Sequence, residues 1–384
     1  MNYVIGIDAS RCRSGGAIAH LIGIISNLNN VKFGIKEIHI WSYCDLLSQL
    51  PDNDWIIKHN PNELQSSLIS QIFWQFYKLP KELNRTNCDI LFTADAATVC
   101  KFQPQVVLSQ DLLSYEPGII KLYKFNFHKI RLFLIKILQN SSFKSAVGII
   151  FLTEYAKNVI ERHLGVLNDS IVIPHGVNPE FKLSKHTQNL RSDKQKFNCV
   201  YISNALLYKF QWSVIEAIEL IRNELGIDIN LSLVGGINPE AKYLVESQLR
   251  KSDPHRDFVT MYPFLSSADV ISIINNSDVF VFASTCEAFG ITLLEGMSMG
   301  IPIACSNRSC LPELLEDGGV YFDPENSRDI ANAIISLLKS EELKNNVSRK
   351  ALINSSKYSW KRCSSETFDY LIKNIQKNKL HASL

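Results

Sequence analysis

Residues 278–313 read DVFVFASTCEAFGITLLEGMSMGIPIACSNRSCLPE, and this stretch decides the fold. The apolar run at 279–283 predicts a buried strand, and the polar turn at 284–287 leads into a helix that begins near Thr292. A second apolar run, at 303–305, follows the helix. Strand, turn, helix and strand in this order form one unit of a parallel α/β sheet.

The same alternation of apolar runs and helical patterns extends over the whole chain. Continuous apolar runs are typical of strands that are buried on both faces, as in a parallel sheet covered by helices. We therefore predict an α/β protein with two doubly wound, Rossmann-like units. The predicted strands are residues 3–7, 37–41, 89–93, 105–108, 147–152 and 170–173 in the first half, and 198–202, 230–234, 259–261, 279–283 and 303–305 in the second.

The chain has 384 residues, a length that favours two domains. Turn-forming residues at 174–179 and a polar, aperiodic stretch at 183–196 indicate the boundary between them. A last amphipathic pattern begins at residue 359. We predict a first domain at 1–180, a second at 181–358 and a terminal helix at 359–384.

Composition excludes several classes of protein. With 40 Lys plus Arg against 38 Asp plus Glu, the chain lacks the basic surplus of a nucleic-acid-binding domain, so we expect no nucleic-acid partner. The nine cysteines form no C-x-x-C pair, which argues against structural zinc and against a disulfide framework. No basic and apolar leader opens the sequence, and we expect a cytoplasmic protein.

Two carboxylates within residues 278–313 lie eight positions apart, Glu287 in the predicted turn and Glu295 in the predicted helix. Backbone amides at a helix N-terminus can hold a diphosphate, and Glu295 can accept hydrogen bonds from ribose hydroxyls. Glu287 then meets a different group of the ligand. The alternative is a pair of ordinary surface glutamates. The predicted donor-binding residues here are Glu287, Ala288, Phe289, Gly290, Ile291, Thr292 and Glu295.

A glycine pair, Gly15 and Gly16, lies between the first predicted strand and a helical pattern. Glycines at such a turn expose backbone N–H groups to a phosphate, so both are candidate donor-binding residues. The spacing is not G-x-G-x-x-G, which disfavours a nicotinamide cofactor. A simple turn is the alternative.

Residues 118–146 contain six Lys or Arg and no acid, interleaved with large apolar side chains. This pattern predicts a basic amphipathic helix or helix pair. One interpretation is a core helix with a solvated cationic face. The other is contact with anionic lipid, to which each cation near the surface contributes about 1 kcal/mol. The candidate membrane contacts are Lys121, Lys124, Lys129, Arg131 and Lys136.

The motifs of the second half together resemble retaining GT-B glycosyltransferases of the GT4 group, from about residue 198 to 340. They are E-x7-E with EAFG, M-x-x-G-x-P at residues 297–302 and S-x-L-P-E at 309–313. The resemblance implies the GT-B fold: two Rossmann-like domains facing a central cleft, with a C-terminal helix that crosses back to the first domain.

The resemblance also implies roles for single residues of the second half. Lys209 matches the lysine that holds the donor phosphates, and its alternative is an ordinary cation at a helix start. Asn204 stands where the family usually has a second cation, an arginine. Gly235 belongs to a strand end in the donor site, and Glu287 binds donor sugar hydroxyls and stabilises positive charge.

In the first half, Gln110 and Asp111 follow the predicted fourth strand, where the family often has a histidine. Gln110 matches a variant found in part of the family. A retaining transfer needs no protein base if the leaving phosphate takes the acceptor proton, so Gln110 can act by positioning. His175 matches the family's hinge segment.

We therefore predict a retaining, metal-independent glycosyltransferase without a cofactor. It moves a hexose from a nucleotide-diphosphate sugar to a growing, lipid-linked glycan of a surface polysaccharide. GDP-mannose is the first expected donor, and UDP-hexoses are the next. An anionic membrane surface on the cytoplasmic side of the inner membrane is the further expected partner. A retaining glycoside hydrolase needs two carboxyl groups, one as acid and one as nucleophile, and no second acid of this sequence is placed to act as the nucleophile. A GT-B-fold scaffold without catalysis is the remaining alternative, favoured by Asn204.

Overall fold

The computed structural model describes residues 2–13, 15–123, 127–167, 169–183 and 196–382, and these residues form two parallel sheets. The first sheet consists of β1 (Tyr3–Asp8), β2 (Ile35–Trp41), β3 (Ile56–His59), β4 (Ile90–Thr93), β5 (Gln105–Ser109), β6 (Gly148–Phe151) and β7 (Ser170–Val172). The second consists of β8 (Lys196–Ile202), β9 (Asp228–Val234), β10 (Val259–Tyr262), β11 (Val279–Phe282), β12 (Ile303–Ser306) and β13 (Val320–Phe322).

Helices connect the strands. In the first half they are α1 (Gly15–Ser26), α2 (Asn30–Phe33), α3 (Cys44–Leu47), α4 (Leu68–Phe73), α5 (Leu79–Arg85), α6 (Ile119–Leu122), α7 (Phe127–Ser145), α8 (Glu154–Leu164) and α9 (Pro179–Leu183), with a π-helical turn at Trp74–Lys78 and a 3-10 helix at Asn62–Gln65. In the second half they are α10 (Gln211–Leu225), α11 (Pro239–Ser252), α12 (Ser267–Asn275), α13 (Ile291–Met299), α14 (Leu311–Leu315), α15 (Ser327–Lys339), α16 (Glu341–Ser355) and α17 (Trp360–Ala382), with a 3-10 helix at Leu207–Lys209.

Both sheets are doubly wound. The strand order is β3-β2-β1-β4-β5-β6-β7 in the first and β10-β9-β8-β11-β12-β13 in the second. The order reverses between β1 and β4, and again between β8 and β11. Loops that leave the carboxyl ends of such neighbouring strands diverge to opposite sides and leave a crevice in which ligands bind. The topology thus predicts one candidate site on each sheet.

The predicted fold class is confirmed, and each predicted apolar run forms a strand. Sequence analysis missed β3 and β13. Both are short strands at a sheet edge, and most of their residues are only half-buried. They therefore lack the continuous apolar run that marks a central strand.

The chain divides into two compact units. The first comprises residues 1–116, 125–176 and 358–384, and the second comprises 117–124 and 177–357. Sequence analysis placed these boundaries at 180 and 358, and it did not separate the short segment 117–124 from the first domain.

The terminal helix α17 belongs to the first unit, as predicted for a helix that crosses back. It packs on α1, where an added Cβ at Gly23 would lie 2.2 Å from the indole ring of Trp360. The Ser364 hydroxyl donates to the carbonyl of Ile24 over 2.7 Å. Beside Trp360, the rings of His20 and His175 are buried, with their Nδ1 atoms 3.0 Å apart, so His175 is a packed residue where its chain leaves the first unit.

Candidate active site

The crevice between β8 and β11 brings together Lys209 and Glu287. Lys209 ends the 3-10 helix after β8, and Glu287 lies in the turn after β11. Their side chains form an ion pair that is largely removed from solvent. The two loops are also joined directly, because the N–H of Thr285 donates to the carbonyl of Tyr208 over 2.8 Å. The topology therefore explains why residues 78 positions apart meet.

The core of the sheet fixes the position of Lys209. The buried Tyr201 hydroxyl donates to the Lys209 carbonyl over 2.7 Å. The Lys209 Nζ lies 5.3 Å from the centre of the Phe282 ring, within range of a cation–π contact. A lysine held in this way loses little further side-chain entropy when an anion binds.

Two residues of the loop after β12 clamp the turn that carries Glu287. The Ser309 hydroxyl accepts from the Glu287 N–H and donates to the Glu287 carbonyl, each over 3.0 Å. The buried Cys310 thiol lies 3.2 Å from the same carbonyl and 3.3 Å from that of Phe289. This role of Ser309 was not predicted from the sequence, in which Ser309 stands out only as the first residue of the S-x-L-P-E motif. The clamp sets the direction of the Glu287 side chain.

Next to this turn, α13 begins at Ile291, one residue before the predicted Thr292. Its N-cap, Gly290, has φ 97°, which only glycine adopts readily, and none of the described side chains caps the helix. The first amides of α13 are thus available to an anion at the positive end of the helix dipole. Ala288 and Thr292 are half-buried beside them, whereas the Phe289 ring is buried.

Glu295 lies in the middle of α13. Within the described residues its carboxyl group has no ion-pair partner, and burial raises its pKa to about 8. The Glu295 side chain is half-buried, and a carboxylate that is largely withdrawn from water without a partner is stabilised by a ligand that donates hydrogen bonds to it. The geometry suits the predicted recognition of ribose hydroxyls.

Asn204 contacts protein backbone on the same side of the sheet. Its side-chain oxygen accepts from the N–H of Gly236 over 2.9 Å. Gly235, with φ 133°, packs so closely on this loop that a Cβ would lie 2.6 Å from the Ser203 carbonyl oxygen. Asn204 and Gly235 therefore join the loops after β8 and β9, and Asn204 brings no cation to the site.

The crevice between β1 and β4, in the first unit, holds a second cluster. The Arg11 Nε donates to Asp95 over 2.9 Å in an ion pair. Burial raises the pKa of Asp111, and the nearby Asp95 raises it further, against the influence of Arg11. The Gln110 amide donates to the Ala94 carbonyl over 2.7 Å. Arg11 and Asp95 were missed, although both follow strand ends, where ligand-binding residues concentrate.

Gly15 and Gly16 also belong to the first unit and open α1, as predicted. Gly15 is exposed with φ 54°, and an added Cβ would meet nothing within 4 Å. Close packing therefore does not require this glycine, and the open space beside it leaves room for a ligand group.

The basic segment, predicted as a helix or a helix pair, contains two helices, α6 in the second unit and α7 in the first. Arg131 is exposed and Lys129 half-exposed on α7, whereas Lys136 lies over the ring of Tyr115. Lys121 is exposed on α6, and Lys124 lies outside the described residues. A row of large apolar side chains on α7 is also exposed: Ile130, Phe133, Leu134 and Ile137.

The described residues include neither a metal-binding cluster nor a helix that could span a membrane. No group of three or more His, Cys, Asp or Glu side chains is placed there to hold a metal ion. None of the described helices combines the length and the apolar character needed to cross a bilayer.

Residues 184–352 match the family model "Glycosyl transferases group 1". This segment contains Lys209, Glu287, Glu295 and the Ser309 clamp. The resemblance to GT4-type glycosyltransferases of the GT-B fold is thereby confirmed.

Two curated relatives are similar over parts of the chain. O-antigen chain mannosyltransferase B of Escherichia coli is 27% identical over 122 residues, 32% of each protein. N,N'-diacetylbacillosaminyl-diphospho-undecaprenol alpha-1,3-N-acetylgalactosaminyltransferase of Campylobacter jejuni is 25% identical over 63% of this chain and 65% of its own length. The chain spans about a third of the length of the first curated relatives it matches.

Among solved structures, the Anabaena protein HepE in complex with UDP and glucose superposes with a TM-score of 0.71. It shares 18% identity, and the match covers 96% of this chain and 98% of HepE. At this identity the likeness shows the fold alone.

Proposed function

We propose that this chain, whose residues 184–352 belong to the Glycosyl transferases group 1 family, transfers a hexose from a nucleoside diphosphate sugar to a glycan with retention of configuration. The observation that carries this proposal is the ion pair between Lys209 and Glu287 beside the uncapped N-terminus of α13. Such a site offers a cation and backbone amides to a diphosphate, and a carboxylate to the sugar.

The leaving diphosphate gains negative charge as the glycosidic bond breaks. Lys209 and the first amides of α13 stabilise this charge, so no metal ion is needed. In the free protein Glu287 neutralises Lys209, and an entering diphosphate takes over that cation. Glu287 is then released to bind sugar hydroxyls and to stabilise positive charge at the anomeric carbon.

The ribose of the nucleotide binds at Glu295, whose carboxyl group lacks an ion-pair partner among the described residues. In the first unit, Gln110 and Asp111 position the acceptor hydroxyl. Its proton passes to the leaving phosphate on the same side of the sugar, as retention without a protein base requires. Gly15 and Gly16 add backbone amides for the donor phosphates.

The comparisons guide the choice of substrates. The mannosyltransferase name of the E. coli relative supports GDP-mannose as donor, while the UDP complex of HepE supports a UDP-hexose next. The diphospho-undecaprenol in the name of the C. jejuni relative supports a lipid-linked acceptor. Surface polysaccharide synthesis is consistent with the O-antigen in the first of these names.

We also infer that the basic segment holds the protein on the cytoplasmic face of the inner membrane. Lys129 and Arg131 attract anionic lipid, and the exposed apolar row of α7 enters the interface. The sequence adds Lys121 and Lys124 before α7 and Lys136 within it as further cations for this contact. The charge-dependent part of this binding weakens as salt increases.

A scaffold that has lost catalysis is the competing function. Asn204 favours this alternative, because the asparagine binds the Gly236 N–H and leaves Lys209 without the second cation that the family usually has. Thermal shifts with UDP, GDP, ADP and dTDP and their sugar conjugates, measured without metal, separate the two. A donor at 100 times its Kd stabilises the protein by about 2.7 kcal/mol. A scaffold without a donor site gives no shift.

Transfer itself is tested with Glu287→Gln, which keeps the shape of the side chain and removes its charge. Loss of a group that stabilises transition-state charge lowers kcat by about 100- to 1000-fold. Glu316→Gln is the matched control, because Glu316 forms an exposed ion pair with Lys357. Unchanged kcat in Glu287→Gln, with the control also unchanged, rules out the assigned role.

A further inference from the structure

Ser309 has a backbone conformation that serine adopts only at a cost in free energy. Its φ is 57°, in the left-handed region that favours glycine, and it lies in the loop after β12. At five other positions of the second unit with positive φ the chain has glycine: Gly118, Gly226, Gly235, Gly290 and Gly300. A turn that needed only this backbone would carry glycine, so the side chain of Ser309 has a use that offsets the strain.

The hydroxyl of Ser309 shows what this use is. It accepts from the N–H of Glu287 and donates to the carbonyl of the same residue, each over 3.0 Å. One side chain thus binds both backbone groups of a residue 22 positions away. The buried thiol of Cys310 extends the contact, 3.3 Å from the carbonyl of Phe289. The strained loop therefore holds the turn from Glu287 to Phe289.

The other member of the ion pair, Lys209, has a strained neighbour as well. Phe210, with φ 47°, directly follows Lys209 and is the N-cap of α10. A left-handed conformation is unusual for a bulky residue. The described part of the second unit has two further non-glycine residues with positive φ, Arg256 and Glu316. Half of these strained residues therefore adjoin or hold the ion pair, as expected where strain is kept for function.

Glu287 needs support at one stage in particular. In the free protein its side chain is held by Lys209, largely out of solvent. When a diphosphate takes over Lys209, Glu287 loses this partner, and a side chain that becomes mobile loses rotamer entropy again on binding a sugar. Ser309 binds the backbone of Glu287, so its hold does not depend on Lys209. The turn that aims the carboxylate thus stays in place after the ion pair opens.

We propose that Ser309 is a positioning residue for sugar recognition: its hydroxyl keeps the Glu287 turn in place once a diphosphate occupies Lys209, and the left-handed backbone at residue 309 is kept for this contact. The inference rests on the proposed function, because it gives a cause for the binding of the donor sugar by Glu287. The phosphates and the ribose meet other parts of the site. Ser309 therefore affects recognition of the sugar and not of the nucleotide.

Calorimetry with GDP and GDP-mannose tests this effect, or with UDP and UDP-glucose if the thermal shifts select uridine. The quantity of interest is the affinity for the nucleotide sugar divided by that for the nucleotide alone, the affinity ratio. Ser309→Ala removes the hydroxyl and keeps the strained backbone. We expect the affinity ratio to fall about tenfold, the lower end of what the loss of a hydrogen bond to a charged group costs, with nucleotide affinity unchanged.

A matched control is Ser336→Ala, which removes a half-buried hydroxyl that donates to the Ala333 carbonyl over 2.7 Å on α15. The affinity ratio should not change in this variant. Loss of nucleotide affinity in Ser309→Ala would assign Ser309 to the structure of the whole site and overturn the proposal.

Stability separates positioning from a purely structural role. Ser309→Gly removes the same hydroxyl but adopts φ 57° without strain. Its Tm should exceed that of Ser309→Ala by a few degrees, whereas both variants lose the same share of the affinity ratio. Glu316→Gly is the backbone control, because Glu316 has φ 53° and lies outside the site, and its affinity ratio should equal that of the wild type. An affinity ratio that follows Tm across the variants overturns the proposal.

A double-mutant cycle connects the effect with Glu287. In a Glu287→Gln background, Ser309→Ala should lower the affinity ratio much less than in the wild type, because the group that it positions has lost its charge. An equal loss in both backgrounds overturns the proposal, as does an unchanged affinity ratio in Ser309→Ala.

Transfer assays on the same proteins keep this inference apart from the proposed function. An affinity ratio that depends on Ser309, in a wild type that transfers no sugar, supports this role and removes the transferase. Transfer by the wild type with an affinity ratio independent of Ser309 supports the transferase and removes this role. A wild type that binds neither nucleotide sugar overturns both.

Discussion

Glu295 is the residue whose environment has the clearest consequence for binding. Burial raises its pKa to about 8, so the free protein holds this carboxyl group protonated at neutral pH. Ribose hydroxyls donate to the ionised form and lower its pKa, so binding releases a proton. Nucleotide affinity should therefore increase with pH, by up to tenfold per unit, and level off above about pH 8.

Calorimetry with the nucleotide at pH 6, 7 and 8, in two buffers of different ionisation enthalpy, measures both the affinity and the released proton. Glu295→Gln is the control, since it keeps the side-chain size and the titration of the nucleotide's own phosphate. We expect proton release to disappear in this variant. Identical pH profiles for the two proteins would show that Glu295 does not meet the ribose.

The raised pKa of Glu295 also makes the free energy of unfolding depend on pH, in the direction opposite to nucleotide affinity. An unfolded glutamate ionises near its usual pKa of 4.5, whereas the folded protein keeps the proton until about pH 8. The folded state therefore binds more protons between these values, and the free energy of unfolding falls as pH rises through this range. Bound nucleotide removes this penalty by providing hydrogen-bond donors.

Sequence could identify chemistry-bearing residues only where their type is informative. Glu287 was predicted because a carboxylate in the turn after a strand suits a ligand, and Lys209 because it matches the lysine that holds the donor phosphates in the family. Ser309 and Arg11 were missed, because their roles depend on contacts with distant residues. Ser309 reaches Glu287, 22 positions away, and Arg11 pairs with Asp95, 84 positions away.

At the scale of elements, α17 packs closely on α1 at Gly23. Gly23 has no room for a Cβ, which would lie 2.2 Å from the Trp360 ring. Gly23→Ala should therefore lower the free energy of unfolding by about 1–3 kcal/mol, the usual cost of overpacking, despite alanine's better helix propensity. Urea unfolding measures this change.

A double-mutant cycle identifies the cause. In a Trp360→Leu background the ring is gone, and the cost of Gly23→Ala should fall well below its value in the wild type. An equal cost in both backgrounds would mean that contact with Trp360 does not explain the glycine.

Elements were predictable where local pattern and tertiary environment agree. Central strands such as β11 are buried on both sides, so their apolar runs were visible in the sequence. Helix α4 and the π-helical turn after it show the reverse, because the apolar side chains exposed within residues 68–77 resemble a core helix in the sequence. Only the structure shows that Trp74 and Gln75, rather than these side chains, point inward.

At the scale of the whole molecule, the two units differ in how the chain builds them. All but eight residues of the second unit are continuous, at 177–357, whereas the first is completed by residues 358–384, which return to it from the far end of the chain. Five large or apolar side chains of α17 are buried in the first unit: Trp360, Cys363, Phe368, Leu371 and Ile375. Burial of a large apolar side chain contributes about 1.5–3 kcal/mol, so loss of this helix removes several such contributions from a unit whose net stability is on the order of 5–15 kcal/mol.

Truncation after Lys357 should therefore unfold the first unit and leave the second folded. Hydrogen exchange should show lost protection in β1, β4 and β5, with protection retained in β8, β11 and β12. Truncation after Lys379 is the control, because it removes the exposed Leu380 and keeps the ion pair between Lys379 and Asp89. If the shorter chain kept full protection in the first sheet, α17 would be an accessory to that unit. Loss of protection in both sheets would instead show that the second unit depends on the first for its stability.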